Sequence, residues 1–357
     1  MLWFVGMGLG GYRGVSVQAI DVLKKCDIVY FERFTSDVAD SDVKGLNQLT
    51  GKDLKEAQRW FIEDGREIMD LAKAQDVAIV TYGDPLIATT HSELRARAAR
   101  KSIKTSVLHS ASGIYSSVTE SGLHVYKLGK TVTIMSEPQS AISVYNTIYD
   151  NLISGNHTLI LTEYRSRDSG QPFFLSPCAV FGALQQVERD LRHGAFSTET
   201  FAIVASRIGE VEQTIISGKV GSLLRVEFGK GPHSIIIPGT LHFTESEAIE
   251  SLTVCHDNAG DNSKGIARIS SQMIQSYAPK ARQAVQHMRD FLQTQEGIEG
   301  KKGLFEVLDN AENYISDSER FLNQGKPELA VLSIGYAEGL VDALRFQKGI
   351  NPWLPPG

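Results

Sequence analysis

Residues 76–91 read DVAIVTYGDPLIATTH, and the rest of the chain can be read outward from them. Val77-Ala78-Ile79-Val80 is an apolar, β-branched run of strand length. Tyr82-Gly83-Asp84-Pro85 is a sharp turn: glycine tolerates positive φ, and Pro85 moves Asp84 out of the α region. Residues 86–100 are expected to be helical, with Leu86, Ile87, Leu94 and Ala98 facing inward. A strand that ends this way puts a carboxylate at the carboxyl edge of a sheet, where open α/β folds bind ligands. Asp84 also fits an ordinary turn or N-cap aspartate.

The flanking chain repeats the alternation. Residues 1–5 form a buried-strand run, followed by glycines and a helix over 16–25 with Val17, Ile20, Val22 and Leu23 at rough helical spacing. Residues 26–31 are a second strand, 35–50 a polar loop and 51–73 mostly helix. Another strand ends at 106–109, and Ser110-Ala111-Ser112-Gly113-Ile114 turns into a further helix. Strands alternating with helices imply a parallel sheet with right-handed crossovers. Near 131–135 the character changes: strands at 157–163, 201–206, 214–216 and 234–237 accompany a helix over 174–192. The expected fold is α/β, with an N-terminal parallel-sheet domain over 1–130 and a mixed-sheet domain over 131–252. A cleft between the two is a usual place for a small-molecule site. Residues 253–265 read as a linker and 266–357 as a helical domain. Within the latter, Met273, Ile274, Tyr277, Ala281, Val285, Met288 and Leu292 form an apolar stripe, and Pro327 suits a helix start.

Bulk properties narrow the function. The chain has 357 residues, 42% of them hydrophobic and 22% charged, which is ordinary for a globular protein. A formal charge of -6 argues against general nucleic-acid binding. The three cysteines, Cys26, Cys178 and Cys255, form no CxxC and imply a reducing compartment without disulfides or zinc; Cys26 reads as a buried thiol. The N-terminal apolar run is too short for a signal or a membrane span, so a cytoplasmic protein is expected.

Gly6-Met7-Gly8-Leu9-Gly10-Gly11 contains GxGxxG between a strand and a helix, and Glu32 closes the next strand. A nicotinamide-dependent oxidoreductase would place its ribose-binding acid there. The same glycines equally serve tight packing. The turns at 82–85 and 112–114 are two further sheet-edge candidates, and a Rossmann enzyme does not need both.

Several of these stretches resemble the diphthine synthase family, within the fold class of the tetrapyrrole methyltransferases. They are GMGLG at 6–10, ERFTS at 32–36, VTYGDPLIATTHSELRARA at 80–98 and HSASGIYSSV at 109–118. To these add GLHVYKLGK at 122–130 and FGKGPHSIIIPGTLHFTESEAI at 228–249. The likeness covers about residues 1–250. Residues 311–322 and 336–345 resemble a small archaeal helical domain of uncharacterised function.

The resemblance implies two α/β domains, a homodimer, and methyl transfer from S-adenosylmethionine held between the domains. The implied acceptor is the amino group of a modified histidine on translation elongation factor 2, on the route to diphthamide. The family's cofactor contacts fall on Leu9, Asp84, Ile87, the Ser112-Gly113-Ile114 turn, Thr162, Ile208 and His233. The turn after His109 is one residue longer here, so the family's Ser-Ile pair falls on Ser112-Gly113 or Gly113-Ile114. Thr162 stands in place of leucine and Ile208 in place of alanine. A methyltransferase acting on a small tetrapyrrole is the alternative within the fold.

Methyl transfer from a sulfonium needs no metal and no covalent nucleophile, and positioning supplies up to about 7–11 kcal/mol. No base for the acceptor's proton is evident, which leaves that proton to solvent. His233, after Gly231-Pro232, is expected to point into the cleft. His91, His109 and His242 read as structural, and Glu245 with Glu247 fits no standard metal spacing. Arg95, Arg97, Arg100 and Lys101 read as a solvated helix face, with an acidic protein surface as the lesser reading. Deleting everything after about residue 255 is expected to leave methylation intact.

Overall fold

Leu2 and Phe4 face one side of the first strand and Val5 the other, and all three are completely buried. Such a strand needs helices on both faces, and the computed structural model, which describes residues 1–166, 171–295 and 301–353, supplies them. The chain divides into two compact units, Met1–Ile266 and Ala267–Gly357.

The first half of the larger unit runs β1 (Leu2–Gly6), α1 (Val17–Lys25), β2 (Ile28–Phe31), α2 (Asp40–Thr50) and β3 (Lys55–Glu56). It continues with α3 (Arg59–Asp64), α4 (Arg66–Ala72), β4 (Val77–Thr81), α5 (His91–Arg100), β5 (Thr105–Leu108) and α6 (Gly113–Glu120). Its sheet has the order β3-β2-β4-β1-β5 and every pairing is parallel. Ala78 and Val80 pack with Ala19, Leu23 and Leu46 on one face. Val77 and Ile79 pack with Ile62, Met69, Leu94 and Ala98 on the other.

The second half comprises β6 (Val132–Ile134), α7 (Pro138–Ile153), β7 (Thr158–Thr162), β8 (Tyr164–Arg165), β9 (Phe173–Phe174) and α8 (Pro177–Leu191). After these come β10 (Phe201–Ser206), β11 (Thr214–Lys219), α9 (Val220–Leu223), β12 (His233–Ile237), α10 (Phe243–Leu252) and β13 (Val254–Cys255). Its sheet, β13-β11-β10-β12-β7-β6, is mixed. Val144, Phe181 and Leu184 of α7 and α8 cover one face. Val118 of α6 and Ile249 of α10 cover the other. Thus α6 leaves the first sheet and packs on the second.

Several expectations need correction. The helix after the Gly-Asp-Pro turn begins at His91, not Leu86. Ala88 is left-handed (φ 56), and the Thr89 hydroxyl and the His91 ring both bond the Pro85 carbonyl, at 2.7 and 3.1 Å. These side-chain bonds replace a first helical turn. Leu86 and Ile87 are therefore not on a helix face. The polar stretch 35–50 contains α2, whose first turn holds Asp40 and Asp42, acids that favour a helix N-terminus. The stretch 51–73 holds an edge strand, and Gly65 (φ 61) separates its two helices. Val17 is 77% exposed because Ser16 caps α1 and Val17 begins it. Arg97 is not simply solvated: its guanidinium donates to the carbonyls of Glu63 and Asp64.

Residues 253–265, expected as a linker, are pinned to the second sheet. Val254 and Cys255 pair with β11. The Asn262 amide bonds both the Phe201 amide and carbonyl and the Pro238 carbonyl, each at 2.8 Å. The smaller unit holds α11 (Ile269–Thr294), α12 (Lys301–Asn323) and α13 (Pro327–Lys348) around one apolar core. Ile274, Ala281, Val285, Met288 and Leu292 of the stripe are buried there, whereas Met273 and Tyr277 are exposed. Residues 296–300 and 354–357 of the expected helical domain lie outside the described residues. No helix among the described residues is long and apolar enough to cross a membrane.

Glu245 ties the second half together. It is fully buried and caps α10 through the His242 amide. It also accepts from the His124 amide, from Lys127 Nζ and from His157 Nε2. His157 Nδ1 accepts from the Gly239 amide at 3.0 Å, which makes this ring a neutral donor to Glu245. Burial alone raises the Glu245 pKa, but the His242 amide, Lys127, the His124 amide and His157 outweigh it and bring it to about 2. Replacing Glu245 by Ala is expected to cost about 3 kcal/mol in urea unfolding at neutral pH, because it strands buried donors. A depressed carboxylate pKa stabilises the fold above its unfolded value and ceases to do so as pH falls. The deficit should therefore shrink as pH falls toward about 2.

Candidate functional site

Three loops of the first sheet converge at its carboxyl edge. The chain leaves β1 at Gly6, where a Cβ would lie 2.7 Å from both the Gly83 carbonyl oxygen and Ser110 Cβ. Gly8 (φ 74) exchanges backbone hydrogen bonds with Gly83 at 3.1 and 3.0 Å. The glycine loop is thus spent on packing against its neighbours. It is followed by a short 3-10 turn, and α1 starts only at Val17 under its own Ser16 cap. A dinucleotide fingerprint needs a helix N-terminus directly after the glycines, so this loop is not one. Glu32 likewise turns inward: it is 1% exposed and accepts from the Phe34 and Thr35 amides, both at 2.9 Å. Burial pushes its carboxyl up to about 7.

Asp84 clamps two of the loops. It is 4% exposed; Oδ1 accepts from the Leu86 amide at 2.9 Å. Oδ2 accepts from the Ser110 amide at 3.2 Å and bonds His109 Nδ1 at 2.8 Å. Both oxygens are engaged within the protein, although a carboxylate retains further lone-pair capacity.

Between the two sheets lies a slot of about 210 Å³. Leu9, Asp84, Ile87, Ser112, Gly113, Ile114, Thr162, Ile208 and His233, the positions singled out in the sequence, all line it. They arrive from the loop ends after β1 and β4, the start of α6, the ends of β7 and β10, and the start of β12. Ser112 caps α6 through the Ile114 amide. The Thr162 hydroxyl donates to the His233 carbonyl at 2.8 Å. His233 is 5% exposed and its Nδ1 hydrogen-bonds with the Ser206 hydroxyl at 2.8 Å. Burial, aided by the charge on Arg207, lowers its pKa to about 4, so the ring is neutral near pH 7. His91 is buried and His109 and His242 are hydrogen-bonded, as structural histidines would be.

The slot also contains Tyr82, from the turn marked as a sheet-edge candidate, and residues not singled out as site residues in the sequence, among them Thr35, Ala88, Tyr164, Arg207 and Glu210. Tyr82 hydroxyl accepts from the Gly10 amide at 3.3 Å, and burial pushes its pKa up to about 12. Tyr164 spans the cleft, its hydroxyl donating to the Arg33 carbonyl at 2.8 Å. Ala88 and Arg207 share one signal, a left-handed backbone at a non-glycine residue (φ 56 and 50). Such strain gathers at functional sites, but a sequence does not display it. Among the described residues no three His, Cys, Asp or Glu side chains are grouped as metal ligands.

Comparisons with known proteins agree with this fold. The family model of the tetrapyrrole (corrin/porphyrin) methylases matches residues 1–224. A model for a protein of unknown function, DUF357, matches residues 276–350. The diphthine synthase of Methanocaldococcus jannaschii is 32% identical over 255 residues, 71% of this chain and 98% of that protein. That of Methanothermobacter thermautotrophicus is 32% identical over 249 residues, 69% of this chain and 93% of the relative. The crystal structure of an Entamoeba histolytica protein assigned as a diphthine synthase superposes with a TM-score of 0.64 at 28% identity. It covers 71% of this chain and 98% of that one. A family model spanning most of the chain, and relatives matched over nearly their whole length, show that the protein belongs to the tetrapyrrole methylases and, among them, to the diphthine synthases.

Proposed function

We propose that this methyltransferase takes its methyl groups from S-adenosylmethionine in the slot between the sheets. The acceptor we assign is the amino group of the modified histidine of elongation factor 2, in the cytoplasm and by a homodimer. The observation that carries the reading is that every sequence-matched contact position of the family lines one slot.

The slot suits a nucleoside-bearing sulfonium. Leu9, Ile87, Ile114 and Ile208 offer an apolar wall for a purine. At Gly113 an added Cβ would meet nothing nearer than Leu9 Cδ2 at 3.7 Å, and at Gly83 nothing nearer than the Ala111 carbonyl at 3.8 Å. Both glycines border the slot, so that space is free for a ligand. Asp84 fixes the two turns that carry them. A neutral His233 spares a cationic donor the repulsion that a protonated ring would exert.

When bound, the donor supplies an activated methyl whose transfer leaves a neutral thioether. The protein's part is to hold the acceptor nitrogen in line at near-attack distance, which supplies up to about 7–11 kcal/mol. The relatives are matched over almost their whole length by 255 residues of this chain, which supports assigning the chemistry to the larger unit.

Elongation factor 2 bearing the carboxy-aminopropyl histidine, incubated with enzyme and donor, should gain mass in multiples of one methyl by mass spectrometry. An unchanged mass rejects the reading. Calorimetry should show binding of S-adenosylhomocysteine and none of NAD. Gly113→Val, which fills the slot with little strain elsewhere, should weaken S-adenosylhomocysteine binding about a hundredfold while leaving the melting temperature within a few degrees. A chain ending at residue 266 should keep its methylation rate. Cutting at 255 instead removes Asn262 from the Phe201 and Pro238 backbone and should lower stability by about 1–3 kcal/mol.

A further inference from the structure

Beside the donor slot is a second cavity of about 660 Å³. The two share Tyr82, Arg207, Glu210 and Pro232 as a common wall. Most of the charge around the larger cavity is already matched. Lys230 Nζ lies 3.4 Å from Asp37 Oδ2. Asp42 Oδ1 accepts from the Tyr12 amide at 3.2 Å. The Glu212 carboxylate, 74% exposed, makes a long ion pair with Arg207 Nε at 3.9 Å.

Among the described residues, that leaves Glu210 unpaired and Arg207 paired only through this long contact to an exposed acid. The Arg207 side chain is 16% exposed, and its guanidinium donates to main-chain carbonyls: Nη1 to Lys230 at 2.7 Å and Nη2 to Glu212 at 2.6 Å. Neutral carbonyls orient the guanidinium at its short contacts, and the exposed Glu212 carboxylate at 3.9 Å offsets its charge only in part. Among the described residues the Glu210 carboxylate has no hydrogen bond and no ion pair within 4.0 Å. Its pKa is raised, chiefly by burial. The two side chains leave the ends of one turn, closed by the Glu210 amide on the Arg207 carbonyl at 3.0 Å. The ends of such a turn lie within about 7 Å of each other at Cα.

An α-amino acid head presents the complementary pair, with an ammonium and a carboxylate on one carbon. We infer that Arg207 and Glu210 form a two-point recognition site for the amino-carboxyl head of the acceptor side chain. Arg207 takes the carboxylate, and Glu210 holds the nitrogen at the wall through which the donor slot opens. The inference rests on the acceptor assigned under the proposed function. The donor's methionyl end carries the same chemistry, so the test separates the two sources.

The test uses the full-length protein with two forms of elongation factor 2, one with the carboxy-aminopropyl histidine and one whose histidine bears an aminopropyl group without the carboxylate. Wild type should prefer the carboxylated form in kcat/KM by about tenfold or more. Arg207→Met should abolish that preference, and Arg207→Lys should keep most of it. Glu210→Gln should raise the acceptor KM about tenfold for both forms while keeping the carboxylate preference. Because both residues also border the donor slot, the calorimetric Kd for S-adenosylhomocysteine should change, but severalfold less than the acceptor parameters do. An undiminished carboxylate preference in Arg207→Met, or an unchanged acceptor KM in Glu210→Gln, overturns the inference. So does a loss of S-adenosylhomocysteine affinity as large as the loss for the acceptor, which would place the pair on the donor's own tail. Arg207 also ties two loops, so if Arg207→Met fails to fold by circular dichroism, Glu210→Gln decides alone. If wild type binds S-adenosylhomocysteine yet methylates neither form, the assigned acceptor is wrong and the inference falls with it.

Discussion

One buried carboxylate, Asp84, holds the loops after β4 and β5 in a single arrangement through the Leu86 and Ser110 amides and the His109 ring. The loop after β1 is held to them by main chain alone, Gly8 against Gly83. Three loops of a parallel sheet can converge this closely only where side chains are absent at the contacts and a polar group satisfies the exposed amides. The Gly113 gap, the Ile87 wall and the left-handed Ala88 all follow from that convergence. A slot built this way presents backbone and small side chains to its ligand, which tolerates changes such as threonine at 162 and isoleucine at 208.

The opposite wall depends on a second buried carboxylate. Glu245 joins α10, the segment around His124 and Lys127, and the start of β7. It lies at the end of β7 and β12 away from the slot, since Thr162 and His233 line the slot while His157 and Gly239 meet Glu245. The specific stretches at 122–130 and 228–249 are therefore shared between two tasks. Their Pro232–Ser234 portion lines the slot, and their His124, Lys127 and Glu245 portion ties the second sheet to α10 and to the segment after α6. A motif shared with a family of enzymes is thus not a list of residues that touch ligand.

Much of the fold was legible because it rests on local rules. Apolar runs of strand length marked β1, β4, β10 and β12, apolar spacing marked α11, and Pro327 marked the start of α13. The errors fell where a local rule was outweighed. Residues 86–90 have helical composition, but the Pro85 carbonyl is taken by Thr89 and His91. Residues 40–50 look polar, yet α2 needs only Leu46 and a few neighbours on its inner face. Residues 256–265 have linker composition, and a single asparagine anchors them to two distant carbonyls.

By itself the amino-acid sequence determined the α/β class, the strand-and-turn frame and the kind of residue at each loop end, because those depend on neighbours a few positions apart. Tertiary structure alone decided which polar groups are spent inside the protein and which remain for a ligand. The glycine loop reads as a phosphate cradle until Gly83 occupies its hydrogen bonds, and Asp84 reads as an unengaged ligand group until Leu86 takes Oδ1 and His109 and Ser110 take Oδ2. Arg207 and Glu210 draw no notice in the chain. They stand out only once Asp37 has paired with Lys230 and Asp42 has taken the Tyr12 amide, since the partnering of a charge is settled by groups brought close in space from far along the chain.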